Sequence, residues 1–198
     1  MSLSLDPTVS IECFAKSCMV FKKLQNREGK TMNLTVEDAS AEERRLMVYI
    51  TEYLQTMRWP VRLTRKNIGT DPNRRAFVLG RVRKLDVPFE CVESRFNKKF
   101  ADLFEMLKRL VRLHNPTFRY NAIQLNANVQ TEPHYDRNNE GLSYCLALGS
   151  FTGGGLMVYP EESQPKRYAN KHKWILYDGK HIKHGSAPVT SGVRFALI

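Results

Sequence analysis

Residues 120–129 read "YNAIQLNANV", and along them the hydrophobic period is two. Ile123, Leu125, Ala127 and Val129 alternate with Gln124, Asn126 and Asn128, the pattern of a strand with one apolar and one polar face. Upstream the period is helical. "SAEERRLMVYITEYLQTMRWP" (40–60) opens with Ser40 and Glu43 in capping-box spacing, puts Leu46, Ile50, Tyr53, Leu54 and Met57 on one face, and stops at Pro60. "NKKFADLFEMLKRLVRLHNP" (97–116) does the same with Phe100, Leu103, Phe104, Leu107 and Val111. Downstream, 143–148, 156–159, 174–177 and 193–198 are short strand candidates, with turn signals at Gly153-Gly154-Gly155 and Thr190-Ser191-Gly192. Helices followed by short strands predict an α+β chain whose strands form a sandwich or barrel. The 198 residues suit one domain, 1–198, with helical support and a basic segment in 1–116 and the β core in 117–198. "IGTDPNRRAF" (68–77) reads as a mobile loop.

The composition, 42% hydrophobic and 26% charged, is that of a globular protein and excludes a disordered chain. No apolar run approaches the roughly 20 residues that span a bilayer. The N-terminus lacks a secretory pattern, and the four cysteines form no CxxC pair, so reduced thiols and an intracellular location are expected. The charge is less ordinary. Lys+Arg 31 against Asp+Glu 20 gives +11. Nine basic residues, Arg74 and Arg75 among them, lie between Arg58 and Lys84 with one acid, and a second cluster runs from Lys166 to Lys183. Such an excess predicts a polyanionic partner, nucleic acid above all, held through phosphate contacts.

Just past the alternating strand comes "TEPHYD" (131–136), a His-x-Asp pair. With 5 His and 7 Asp in 198 residues, chance supplies roughly 0.2 such pairs, so the context has to decide. The context is a preceding strand with a polar face and a later histidine, His184, in "DGKHIKHGSAPVTSGVRFALI" (178–198). Two imidazoles and one carboxylate form the facial triad of non-haem Fe(II) oxygenases, which leaves three positions on the metal open. Arg194 follows ten residues after His184, with parity opposite to Val193, Phe195 and Leu197. A guanidinium there can clamp a carboxylate through two parallel hydrogen bonds.

"HYD" (134–136) together with "HGSAPVTSGVRFAL" (184–197) resembles the Fe(II)/2-oxoglutarate-dependent dioxygenases, over residues 120–198. The resemblance implies a double-stranded β-helix (jelly-roll) core, with His134, Asp136 and His184 as iron ligands and Arg194 as the 2-oxoglutarate clamp. It also sets His181 aside, because His184 is the histidine that precedes the Gly-x-x-Pro-Val…Gly-x-Arg pattern; His172 and His114 are expected to be bystanders. "HYDRNNEG" (134–141) with "LGSFTGGGL" (148–156) is similar to the branch of TET enzymes and J-binding proteins, which oxidise methyl groups on pyrimidine bases. That likeness implies a base contact from Asn139 and a 5-methylpyrimidine in DNA as substrate; the charge of the 58–84 segment places Arg74 and Arg75 on the phosphates. Two alternatives stand beside it. Prolyl hydroxylases share the HxD…H framework but usually carry lysine in place of Arg194, and a non-catalytic basic jelly-roll could bind nucleic acid without turnover.

Overall fold

The computed structural model describes residues 20–25, 31–60, 74–83, 90–161 and 163–198. In chain order its elements are β1 (Val20–Gln25), β2 (Thr31–Asp38), α1 (Ala41–Thr56), β3 (Arg75–Arg83), β4 (Cys91–Glu93), α2 (Ala101–His114), β5 (Ala122–Ala127), β6 (Ser143–Leu148) and β7 (Phe151–Gly153). There follow β8 (Leu156–Val158), β9 (Lys166–Tyr168), β10 (Lys173–Tyr177), β11 (His184–Ser186), β12 (Val189–Gly192) and β13 (Phe195–Leu197). The large sheet has eight strands in the order β1-β2-β10-β6-β13-β5-β3-β4; β11-β8-β9 and β12-β7 form two small sheets. Mostly antiparallel strands with two helices, among the described residues, are consistent with a jelly-roll core.

The alternation in β5 decides which side of the large sheet does what. Ile123, Leu125 and Ala127 join Phe77 and Leu79 of β3, Leu146 and Leu148 of β6, and Phe195 and Leu197 of β13 in one apolar layer. Met47, Ile50 and Leu54 of α1 and Leu103, Leu107 and Leu110 of α2 cover that layer. On the opposite face a second cluster joins Cys145, Ile175 and Tyr177 of the large sheet to Leu156, Val158 and Tyr168 of the small one. The polar residues Gln124 and Asn126 face this side too, where they line a cleft between the sheets.

Helix α1 starts as its spacing predicts. Ser40 Oγ accepts from the Glu43 N–H at 3.2 Å, and the Glu43 carboxylate accepts from the Ser40 N–H at 2.7 Å. Glu43 also accepts from Trp174 Nε1 at 2.8 Å and sits 3.0 Å from His114 Nδ1, while the His114 ring stacks on Trp174. Burial alone would raise the Glu43 carboxyl, but the hydrogen bonds from His114, Ser40 and Trp174 outweigh it and hold the pKa at about 2. His114 is thus part of the joint between α1, α2 and β10.

Two expectations change. The segment read as a loop over 68–77 enters β3 at Arg75, and only 68–73 lies outside the described residues. β2 and β3 lie in the same sheet as β5, β6 and β13, so the sheet begins well before residue 117. The charges of "RRAFVLGRVR" (74–83) mask an alternation in which Phe77 and Leu79 point into the core.

Candidate metal centre

The polypeptide leaves the large sheet at Asn128, whose φ of 50° lies in the left-handed region that asparagine tolerates. Its N–H donates to the Arg194 carbonyl at 2.9 Å, and its Oδ1 accepts from the Arg194 N–H at 2.8 Å. The chain then runs beside β11, where His134 and His184 exchange both backbone hydrogen bonds, at 2.8 and 2.9 Å. Two residues on, the Asp136 N–H donates to the Gly179 carbonyl at 2.8 Å. In an extended segment, residues two apart project to one side, so His134 and Asp136 face His184 together.

Ligand atoms of His134, Asp136 and His184 all lie within 4.8 Å of one another. His134 Nε2 is 3.6 Å from Asp136 Oδ1, and His184 Nε2 is 3.4 Å from Asp136 Oδ2. The other nitrogens are occupied. His134 Nδ1 donates to the Glu132 carbonyl at 2.7 Å and His184 Nδ1 to the Ile182 carbonyl at 2.8 Å. A carbonyl only accepts, so each Nδ1 carries a proton and each Nε2 is the atom turned to the centre, where it donates to Asp136 when protonated and offers its lone pair to a metal when not. Burial would raise the Asp136 carboxyl, but the two imidazoles prevail and hold it well below the usual range. The Asp136 partnership raises the His134 pKa.

Arg194 enters the same cleft, which encloses about 690 Å³ including its mouth. It is 4% exposed, and its Nε is buried without a partner. Burial pulls its pKa below the ordinary value. Gly154, at φ 60°, makes room for it, since a Cβ there would lie 3.0 Å from Arg194 Cδ. Two imidazoles and a carboxylate fit a divalent metal with open positions, and a guanidinium whose buried Nε lacks a partner fits a carboxylate ligand. The residues present therefore fit iron and a 2-oxo dicarboxylate.

No protein-family model matches the sequence, and no curated protein matches it. Solved structures do match. The complex of NgTET1 with 5mC DNA superposes with a TM-score of 0.52 at 16% identity, covering 86% of this chain and 72% of that one. An oxidoreductase of the 2OG-Fe(II) oxygenase family from Burkholderia pseudomallei gives 0.51 at 17% identity, covering 83% and 82%. A prolyl-4-hydroxylase from Pseudomonas putida gives 0.50 at 10% identity, covering 83% and 89%. The chain has the fold of the 2OG-Fe(II) oxygenases.

On this 2OG-Fe(II) oxygenase fold the other predicted site residues divide. Asn139 is not among the residues lining the cleft but stands beside Asp136: its N–H donates to the Asp136 carbonyl at 2.9 Å, and its Nδ2 reaches Asp136 Oδ2 at 3.4 Å and Ser143 Oγ at 3.2 Å. It shapes the turn and touches the metal-site carboxylate. Arg74 and Arg75 are not among the residues lining the cleft. Arg75 shares a cross-strand row with Ala127, Phe195 and Leu148. The row of Ser143 and Tyr177, two residues before the Gly179 that bonds Asp136, lies five residues further along β6, roughly 17 Å along the strand. Arg81 and Arg83 occupy the nearer end of β3, with Arg83 4.0 Å from Glu140. His181 Nδ1 turns to Asp178 Oδ2 at 2.9 Å, away from the triad, and His172 sits beside Ala147. Three lining features had weak signals or none. Gln124 and Asn126 were visible as the polar face of β5, whereas nothing local marks Tyr177, whose ring meets His184 edge-on at 5.0 Å.

Proposed function

We propose that the chain is an Fe(II)- and 2-oxoglutarate-dependent dioxygenase, working as one domain, that oxidises a nucleic-acid base, a 5-methylpyrimidine in DNA. The observation that carries the reading is the sharing of one cleft by the His134–Asp136–His184 cluster and Arg194, whose buried Nε lacks a partner. His134, Asp136 and His184 would hold the iron through their Nε2 and carboxylate atoms. Iron, when bound, supplies the oxidation of a C–H bond at the expense of dioxygen and 2-oxoglutarate. Arg194 binds the distal carboxylate of the cosubstrate and offsets its charge in a place water cannot. Tyr177 and the backbone-anchored imidazole of His184, 4% exposed, wall off the inner side of the centre, so the substrate enters over the half-open side of His134 and Asp136.

The net charge of +11 supports nucleic acid as the substrate class. Asn139 stands beside Asp136, where an amide can offer a donor and an acceptor to a base edge. The matched NgTET1 structure is a complex with 5mC DNA. A base in a duplex has to leave its stack to reach the cleft, at a cost of a few kcal/mol. Arg74 and Arg75, at the far end of β3, would contact phosphates remote from the target base. The test is incubation with Fe(II), 2-oxoglutarate and methylated oligonucleotides beside proline-containing peptides, with mass detection of added oxygen. Oxygen on the oligonucleotide supports the reading; oxygen on the peptide alone assigns the chain to protein hydroxylation, the activity in the name of the matched prolyl-4-hydroxylase.

A further inference from the structure

We infer that Gly179 is a positioning residue of the metal centre: the absence of a side chain at this position lets Asp136 aim its carboxylate at the two histidines. The inference rests on the reading of the cluster as a metal site. Gly179 is not among the glycines with positive φ, so its backbone conformation makes no demand for glycine. Space does. A Cβ at residue 179 would lie 2.8 Å from Asp136 Oδ2, and 3.3 Å from both His184 Cε1 and Tyr177 Cε2.

The two backbones in this close approach are held together. The Asp136 N–H is bonded to the Gly179 carbonyl itself at 2.8 Å, which ties the two backbones together. The turn that carries Gly179 is held in place. Asp178 Oδ1 accepts from the Lys180 and His181 N–H groups at 3.1 and 3.3 Å, and the Ile182 N–H donates to the Asp178 carbonyl at 2.8 Å. Ile182 in turn accepts the His184 Nδ1 proton at 2.8 Å. One short turn therefore sets the Asp136 backbone through the carbonyl of Gly179 and the His184 ring through the carbonyl of Ile182. A methyl group at 179 leaves the Asp136 carboxylate as the part that must move, and rotation carries Oδ2 away from His184 Nε2, now 3.4 Å distant.

Gly179→Ala should therefore mimic loss of the aspartate ligand. The experiment is calorimetric titration of the full chain with Mn(II) alone, paired with thermal melts of the metal-free protein. It compares wild type, Gly179→Ala, Asp136→Ala and the double variant. Gly179→Ala is expected to weaken Mn(II) binding by roughly 10–100-fold, the usual effect of disturbing groups that orient metal ligands. The double variant should bind Mn(II) no more weakly than Asp136→Ala. Gly179→Ala should lower Tm more when Asp136 is present than in the Asp136→Ala background, where only the 3.3 Å contacts with His184 and Tyr177 remain, a coupling that a general packing defect would not produce. Wild-type Mn(II) affinity in Gly179→Ala, or an equal drop in Tm in both backgrounds, overturns the inference. Should Gly179→Ala fail to fold, rescue of folding in the double variant supports it and failure there overturns it. If wild type does not bind Mn(II), the metal reading falls, and the Tm coupling alone decides whether residue 179 and Asp136 compete for one space.

Discussion

Arg194→Met separates a functional arginine from a structural one. Arg194 is 4% exposed, its buried Nε has no hydrogen-bond partner, and no carboxylate among the described residues pairs with it, so the cosubstrate-free protein bears a largely desolvated, unpaired charge. Methionine keeps most of the stem and leaves the two backbone hydrogen bonds to Asn128 intact. Replacing a buried ion pair by apolar residues of similar volume is often neutral or stabilising by about 1–4 kcal/mol, whereas removing one partner of such a pair costs about 3–5 kcal/mol because the other charge is left uncompensated. Arg194 is already such an uncompensated charge, so its removal follows the favourable direction. The metal-free, cosubstrate-free variant should thus melt at or above the wild-type temperature. With 2-oxoglutarate and Mn(II) the order reverses. Ligand at 100 times its Kd stabilises by about 2.7 kcal/mol, which for a chain of this size raises Tm by roughly 5–11 °C. That rise should appear in wild type and vanish in Arg194→Met. The assay is differential scanning calorimetry across a 2-oxoglutarate titration. A variant that melts well below wild type without ligand, or that keeps the ligand-induced rise, would refute the reasoning.

His134→Ala, Asp136→Ala and His184→Ala should each weaken Mn(II) binding strongly in calorimetry, while His181→Ala, whose ring faces Asp178, should bind as wild type. Asn139→Ala should spare overall nucleic-acid affinity and lower product formation in a mass assay, because base-edge contacts discriminate and phosphate contacts position. Arg74→Ala/Arg75→Ala should weaken binding to all sequences alike and flatten its salt dependence, read from titrations at several salt concentrations. Glu43 has a folded pKa of about 2 against an ordinary 4.5. Its charge therefore contributes stability above pH 4.5 that is lost as pH falls toward 2. Glu43→Gln should be less stable than wild type by about 2–3 kcal/mol at pH 7, and urea melts should show the gap closing toward pH 2. A gap that does not change with pH removes that role from the charge.

Local patterns carried the reading of the sequence a long way. The capping box at Ser40 and Glu43 needs only three residues of spacing and is formed as written. The alternation of β5 told which residues face the core and which face the cleft, because the side-chain period of a strand is two. Parity also put Arg194 opposite Phe195 and Leu197, although Val193, 42% exposed, lies outside the apolar row. What stayed hidden is set by contacts distant in sequence. The place of Arg75, far along the sheet from Asp136, follows from register across four strands, which no local window holds. Gly179 looks like any turn glycine until Asp136, 43 residues earlier, is seen beside it. His114 has the local look of a helix-end bystander, because its partners Glu43 and Trp174 come from α1 and β10.

Succinate release from 2-oxoglutarate, measured with and without Fe(II) in wild type and in Asp136→Ala, bears most directly on the proposed chemistry. The account predicts release by wild type that depends on Fe(II), is raised by a methylated oligonucleotide, and is abolished in Asp136→Ala. Wild type that consumes no 2-oxoglutarate with Fe(II) and any of these substrates, or an Asp136→Ala variant as active as wild type, would contradict it.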